Sequence, residues 1–101
     1  MEGIFDSCIA FNTDISAWDT SRVVNMEYAF SGCVRFNIDI GDWDTSSVQM
    51  MTRMFQDCKA FRQSLQRWNV SNVIRKWDML TGCPLLQELK ANQPPFASPF
   101  Y

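Results

Sequence analysis

Four cysteines are the residues of this chain best suited to redox or metal chemistry, and they recur at one fixed interval. They are Cys8, Cys33, Cys58 and Cys83. Zinc sites need closely spaced ligand pairs such as Cys-x-x-Cys, so the equal spacing disfavours metal binding. Neighbouring thiols could form disulfides, although side chains that point the same way give poor disulfide geometry. We therefore favour a column of buried free thiols, with disulfides and a metal site as the alternatives.

Carboxylates form a second group with the same spacing. Asp14 and Asp39 are separated by the interval that separates the cysteines, as are Asp19 and Asp44. Stacked acidic side chains could together bind Ca²⁺. In the alternative interpretation, Asp19 and Asp44 accept hydrogen bonds in turns and at helix starts, while Asp14 and Asp39 are solvated. The next positions with this spacing hold Ser64 and Asn69, which weakens a repeating Ca²⁺ site. We expect no metal and no cofactor.

Catalytic chemistry has little support in this sequence. The chain contains no histidine, which removes the commonest general acid or base. It has only 4 glycines and no Gly-rich phosphate loop. Asp39 and Asp42 are close in sequence, but a carboxylate pair without a pocket does not indicate glycoside hydrolysis. We expect that the protein is not an enzyme.

Tryptophans and threonines also recur. Trp18, Trp43 and Trp68 could form an exposed aromatic strip for sugars or peptides, but packing with bonded indole N–H groups is the preferred interpretation. The segment "DTS" at 19–21 and 44–46 is a weak indication of an ice-binding threonine surface. That pattern is interrupted at Val70.

These residues recur because the whole sequence repeats with a period of about 25 residues. We divide it into row 1 (1–25), row 2 (26–50), row 3 (51–75) and row 4 (76–101), and a column is one position in all rows. The matching apolar columns are Met1, Met26 and Met51; Phe5, Phe30, Phe55 and Leu80; Phe11, Phe36 and Phe61; Ile15, Ile40 and Leu65; and Val23, Val48 and Val73. A fixed period of this kind indicates units that bury their apolar residues against one another.

Within a row, the spacing of apolar residues changes. "MEGIFDSC" has the i, i+3, i+4, i+7 pattern of a short helix, and "FNTDI" alternates like a strand. "WDTS" contains turn and cap residues. The predicted fold class is therefore an α/β repeat: a short leucine-rich-repeat-like solenoid with one short helix and one short parallel strand per 25-residue coil, plus a C-terminal cap.

The segments "MEYAFSGCVRFNIDI" and "FNIDIGDWDTSSV" resemble the BspA-like bacterial surface-protein repeat of about 26 residues, which is related to leucine-rich repeats. The resemblance covers residues 1–75 and weakens in row 3, at Arg62, Ser64 and Asn69. It implies a solenoid at the cell surface, with adhesion as a proposed role and no catalytic residues. The expected location is therefore extracellular or at the cell surface.

Row 4 departs from the repeat. "CPLLQELKAN" predicts an amphipathic helix with Pro84 in its first turn, and "QPPFASPFY" is a proline-rich tail. We expect a solenoid over residues 1–82 and a cap over 83–101. Met1 falls in the repeat's own Met column, so the first coil is expected to be open. It could follow earlier coils, be covered by a partner or support self-association.

Charge excludes some partner classes. The formal net charge is −2, and clustered Lys and Arg of the kind that bind nucleic acid are missing. Residues 1–50 carry two basic and eight acidic residues, whereas residues 51–101 carry seven basic and three acidic ones. This asymmetry could favour head-to-tail contacts. No apolar run is long enough to insert in a membrane, and "MEGIFDSC" is not a signal peptide.

The preferred function is a non-catalytic binding or structural module that recognises a protein or a surface glycan. Alternation in the predicted strands places six side chains on the outer side as candidate ligand contacts: Asn12, Asp14, Asn37, Asp39, Arg62 and Ser64. A merely solvated surface is the competing interpretation. The alternative function is a self-assembling block that stacks end to end.

Overall fold

The fold has one regular element in the described part of the chain. A computed structural model describes residues 1–92. Helix α1 spans Pro84–Asn92, and isolated parallel bridges join Asn25 to Met50 and Met50 to Arg75. Rows 1 to 3 contain turns and extended segments, with neither a helix nor a strand. The predicted α/β solenoid, with a helix and a strand in every coil, is therefore wrong.

The first eight residues of each row form consecutive turns instead of a helix. In row 2, the backbone N–H groups of Ala29, Ser31 and Cys33 donate to carbonyls three residues earlier. The N–H groups of the intervening residues donate to row 3; Tyr28 bonds to Thr52 over 2.9 Å, for example. In an α-helix each N–H would bond four residues back in the same segment. Half of the donors here leave the segment, so the helix does not form.

The hydrogen bonds alternate between the same row and the next row, and the backbone is left-handed at the third and seventh columns. Gly3 belongs to the third column, and Gly32 and Gly82 belong to the seventh. The remaining members have side chains yet keep positive φ: Ser7, Tyr28, Arg53, Asp57 and Asp78. Left-handed conformations cost L-residues about 1–2 kcal/mol each, so the surrounding contacts must hold them in place.

The segment predicted as a strand is extended but does not pair as one. In row 2, Phe36 and Ile40 are buried while Asn37 and Asp39 are exposed, so the predicted alternation of side chains is present. Parallel bridges form at a different column, between Asn25, Met50 and Arg75. The prediction is therefore right about the alternation of side chains and wrong about the pairing of the backbone into strands.

The core consists of apolar columns that continue from row to row. Phe30 stacks on Phe55 with ring centroids 5.5 Å apart, and Phe36 stacks on Phe61 at 5.6 Å. Within row 2, the rings of Phe30 and Phe36 are 4.3 Å apart and nearly parallel. The four rings are fully buried. Aromatic rings therefore pack both within a row and between neighbouring rows.

Helix α1 packs on the core after row 3. It begins at Pro84, where the missing proline N–H costs nothing in the first turn. Leu85 is buried, and Leu86 and Leu89 pack against the core. The segment predicted to be helical does contain this helix, while the predicted proline-rich tail lies outside the described residues.

Candidate functional site

The six predicted ligand contacts are all exposed. We call them the polar face: Asn12, Asp14, Asn37, Asp39, Arg62 and Ser64. Direct hydrogen bonds link the first column of this face from row to row. The backbone N–H of Asn37 donates to Asn12 Oδ1 over 2.9 Å, and that of Arg62 donates to Asn37 Oδ1 over 3.0 Å. The two asparagines therefore hold neighbouring rows together as well as reaching solvent.

The second column of the polar face closes turns. Asp14 Oδ1 accepts hydrogen bonds from the backbone N–H and the hydroxyl of Ser16, at 2.9 and 2.6 Å. Asp39 Oδ1 accepts from the N–H of Gly41, and Ser64 Oγ accepts from that of Gln66. The pKa of Asp14 is lowered, and the hydrogen bond from the Ser16 hydroxyl is the main cause. Each of these side chains is thus oriented by its own turn.

The basic end of the polar face adjoins helix α1. The guanidinium of Arg62 lies 3.0 Å from a carboxylate oxygen of Glu88, with both side chains substantially exposed. In addition, Gln63 Nε2 donates to the backbone carbonyl of Asn37 over 3.1 Å. Surface ion pairs of this type contribute little to stability, so Arg62 can exchange this contact for a ligand at small cost.

The aspartate column outside the polar face closes turns. The sequence predicted this role as the alternative to Ca²⁺ binding. Asp19 Oδ1 accepts from the backbone N–H and hydroxyl of Ser21, and Asp44 Oδ1 does the same with Ser46. The hydrogen bond from the serine hydroxyl is the main cause of the lowered pKa of each aspartate. The negative charge of Asp19 acts against this on Asp44, because it raises that pKa. The predicted helix after each turn is not present. Among the described residues, no group of three potential ligands is placed to hold a metal ion.

Residues 1–92 match the family described as "Mycoplasma protein of unknown function, DUF285". The chain belongs to the DUF285 family. Comparisons with curated proteins and with solved structures return no match. The family description names no ligand, so the chemistry of this DUF285 chain has to be inferred from its own residues.

The tryptophan column of this DUF285 chain packs as predicted in rows 2 and 3. Trp43 and Trp68 are buried, and their indole N–H groups donate to the carbonyls of Ile15 and Ile40 at 3.1 and 2.9 Å. Trp18 is different, with 42% of its surface exposed. Its column therefore forms no continuous exposed strip for sugars. The ice-binding interpretation also fails, because Thr20 and Thr45 are buried.

The cysteine column consists of free thiols, as preferred from the sequence. Cys33, Cys58 and Cys83 are buried, whereas Cys8 is exposed. The buried thiols donate to backbone carbonyls of earlier residues; Cys58 Sγ lies 3.0 Å from the oxygen of Phe30. Burial raises the pKa of both Cys33 and Cys83 to about 11, and it raises that of Cys58 further. Only Cys8 in the described chain is placed to react readily.

Two strongly exposed apolar side chains were not anticipated from the sequence. Ile74 and Trp77 are each 72% exposed. Trp77 occupies a column that holds Glu2, Glu27 and Thr52 in the other rows. An aromatic residue in an otherwise polar column was the signal that could have identified it. Within the described residues, no helix is long and apolar enough to cross a membrane.

Proposed function

We propose that this DUF285 chain is a non-catalytic interaction module whose polar face binds a protein or a surface glycan. The proposal rests on one observation. The six polar side chains are exposed, and five of them use a side-chain oxygen to fix backbone N–H groups: Asn12, Asp14, Asn37, Asp39 and Ser64. By resemblance to surface repeats, we propose that the module acts outside the cell or on its surface.

Fixed side chains favour binding because less freedom is lost in the complex. Ordering a mobile polar side chain at an interface costs about 0.5–1.5 kcal/mol. The carboxylates of Asp14 and Asp39 are already oriented by their turns, so most of that cost is absent. This supports a binding role over a merely solvated surface.

The chemistry of the face suits a polar partner. Asp14 and Asp39 supply hydrogen-bond acceptors and negative charge, and Arg62 supplies several donors and positive charge. Sugar hydroxyls or a protein surface with charges of both signs would match these groups. Because no aromatic residue belongs to the polar face, we expect hydrogen bonds rather than ring stacking to fix the ligand.

The test is saturable binding to a glycan array and a peptide array, followed by titration of each hit with charge-neutral variants. Asp39→Asn keeps an oxygen for the Gly41 N–H but removes the charge, so the fold is preserved. We expect affinity for the ligand to fall about tenfold, because a charged contact is lost. The free energy of unfolding should stay within about 0.5 kcal/mol of the parent value.

Asp44→Asn is the matched control. Asp44 is an exposed aspartate of the same row that also closes a turn, but it lies outside the polar face. It should leave affinity unchanged. Equal losses for Asp39→Asn and Asp44→Asn, or no saturable hit on either array, would refute the assignment.

A second candidate is end-to-end self-assembly, favoured by the partly exposed apolar residues of row 1. Light scattering after size exclusion, over a concentration series with and without reductant, tests it. Dimers that dissociate on dilution would support stacking. Dimers that need oxidising conditions would indicate a disulfide through the exposed Cys8.

A further inference from the structure

The six side chains of the polar face are held in two different ways. Five of them use a side-chain oxygen to accept a backbone N–H, so the rows themselves orient these side chains. Arg62 is the exception. Its guanidinium is held by a carboxylate of another element, because Glu88 of helix α1 lies 3.0 Å from it. This contact of the polar face can therefore be lost without opening a turn or separating two rows.

The contact between Arg62 and Glu88 lies at the surface. The exposed fractions of the two side chains are 63% and 45%. The bond joins Nη1 of Arg62 to one carboxylate oxygen, whereas a guanidinium has five N–H donors and can bind a carboxylate through two of them. Exposed ion pairs contribute little to stability, so an incoming carboxylate can displace Glu88 at small cost.

Charge changes sign along the polar face. Its two aspartates belong to rows 1 and 2, and its one cation, Arg62, belongs to row 3. Beside the face, Asp42 of row 2 and Arg67 of row 3 form an ion pair across the same boundary. Arg67 passes close to Gly41, where an added Cβ would lie only 2.8 Å from its Nη2. Acidic and basic groups are therefore direct neighbours on this surface.

A partner that complements this surface needs both signs of charge close together. Adjacent main chains are about 4.8 Å apart, so rows 1 to 3 span roughly 10 Å. An extended polypeptide advances about 3.3 Å per residue, so side chains about two to four positions apart match that span. Neutral sugars carry no charge, and acidic sugars supply the carboxylate alone. The charges of the face therefore favour a polypeptide over a glycan.

We propose that the partner of the polar face is an extended polypeptide segment with a basic and an acidic side chain, and that Glu88 occupies the place of the acidic one in the free protein. This inference rests on the proposed function and adds the class of partner. On binding, the partner's carboxylate takes the guanidinium of Arg62 from Glu88. The partner's basic side chain faces the carboxylates of Asp14 and Asp39. Helix α1 thus positions Arg62 until the partner arrives.

The experiment titrates the ¹⁵N-labelled chain with short Ser/Thr peptides that carry one Lys and one Glu, about three positions apart. We expect saturable shifts of the signals of Asp39 and Arg62. A peptide with Gln in place of Glu, and one with Glu in place of Lys, should each bind about three- to tenfold more weakly, because each lacks one charge contact. Equal affinity for the three peptides, or no saturable shift with the Lys/Glu peptide, would overturn the partner class.

Glu88→Gln tests the displacement of Glu88. It should raise affinity for the Lys/Glu peptide about two- to fivefold, the range for one exposed ion pair, and leave affinity for the Lys/Gln peptide unchanged. Asp78→Asn is the matched control, because it removes a carboxylate from an exposed ion pair with Arg53, outside the polar face. It should change neither affinity. Equal gains from the two variants would overturn the place assigned to Glu88.

A double variant separates displacement from a general effect of charge. In the Arg62→Gln chain, Glu88→Gln should add nothing, because no guanidinium remains to be released. A gain that persists there would overturn the displacement.

Failure of the polar face itself has a different signature. If Asp39→Asn left the affinity for the Lys/Glu peptide unchanged, the polar face would not be its binding site. A loss with Asp39→Asn but no effect of Glu88→Gln would overturn only the place assigned to Glu88. A neutral glycan that binds through Asp39 would overturn only the class of partner.

Discussion

Rows 1 and 2 have nearly the same apolar residues, yet the aromatic rings and the cysteine are fully enclosed in row 2 and not in row 1. Phe36 is fully buried between Phe11 and Phe61, with ring centroids 5.7 and 5.6 Å away. Phe11 occupies the same column in row 1 and is only partly buried. Burial of the aromatic and cysteine columns is therefore decided by having a row on both sides, whereas Ile15 of row 1 is buried with a row on one side only.

The largest expected effect comes from removing a ring that has neighbours on both sides. Phe36→Ala should lower the free energy of unfolding by about 3–5 kcal/mol, because the cavity is shared with rows 1 and 3. Phe11→Ala should cost less than half as much, since one side of that ring already contacts water. Urea unfolding followed by circular dichroism measures both.

Phe30→Ala provides a second middle-row variant with the same expectation, because Phe30 is also fully buried. A loss below about 1 kcal/mol for Phe30→Ala or Phe36→Ala would contradict packing between rows. Equal losses for Phe11→Ala and Phe36→Ala would instead mean that row 1 is covered in solution.

The next effect concerns the indole hydrogen bonds. Trp43→Phe removes the indole donor, so that the carbonyl of Ile15 keeps only the backbone N–H of Trp18, and it leaves space beside a smaller buried ring. We expect a loss of about 1–3 kcal/mol. Trp18→Phe removes an indole N–H that bonds to no described residue, and should cost at most about 0.5 kcal/mol, as exposed substitutions do. Thermal unfolding of both variants measures the difference. A large loss for Trp18→Phe would show that its indole has a partner.

Buried thiols also make the free energy of unfolding depend on pH. A buried thiol has a raised pKa, so between pH 8 and 10 it stays protonated in the folded chain while it ionises in the unfolded one. The unfolded state then binds fewer protons, and stability falls as the pH rises. For Cys58 this loss is about 1–2 kcal/mol across that window, from an unfolded pKa of about 8.5. Below pH 8 the contribution is fully present.

Cys58→Ala isolates this contribution, because other groups that titrate in the same window remain in both proteins. The variant should lose less stability than the parent between pH 8 and 10. Identical pH profiles for Cys58→Ala and the parent would argue against burial of that thiol.

The repeat predicted which residues are buried better than how the backbone is arranged. In row 2, the pattern of Met26, Phe30 and Cys33 correctly identified buried positions. It could not distinguish a helix from consecutive turns, because a local pattern does not reveal whether an N–H bonds within the segment or to the next row. The same limit applies to the extended segment of Asn37 and Asp39. Its side chains alternate as predicted, but its main chain forms no strand.

The smallest effect tests the left-handed columns that the sequence did not reveal. Asp57 has φ = 60°, and Gly32 has φ = 75° at the same column one row earlier. Asp57→Gly should raise the free energy of unfolding by about 0.5–1 kcal/mol, because relief of backbone strain exceeds the loss of an exposed ion pair with Lys59. Gly32→Ala should lower it by about 1 kcal/mol, since alanine disfavours this φ. Chemical denaturation of the two variants gives both values. If Asp57→Gly were destabilising by about 1 kcal/mol or more, the turn geometry assigned to row 3 would be incorrect.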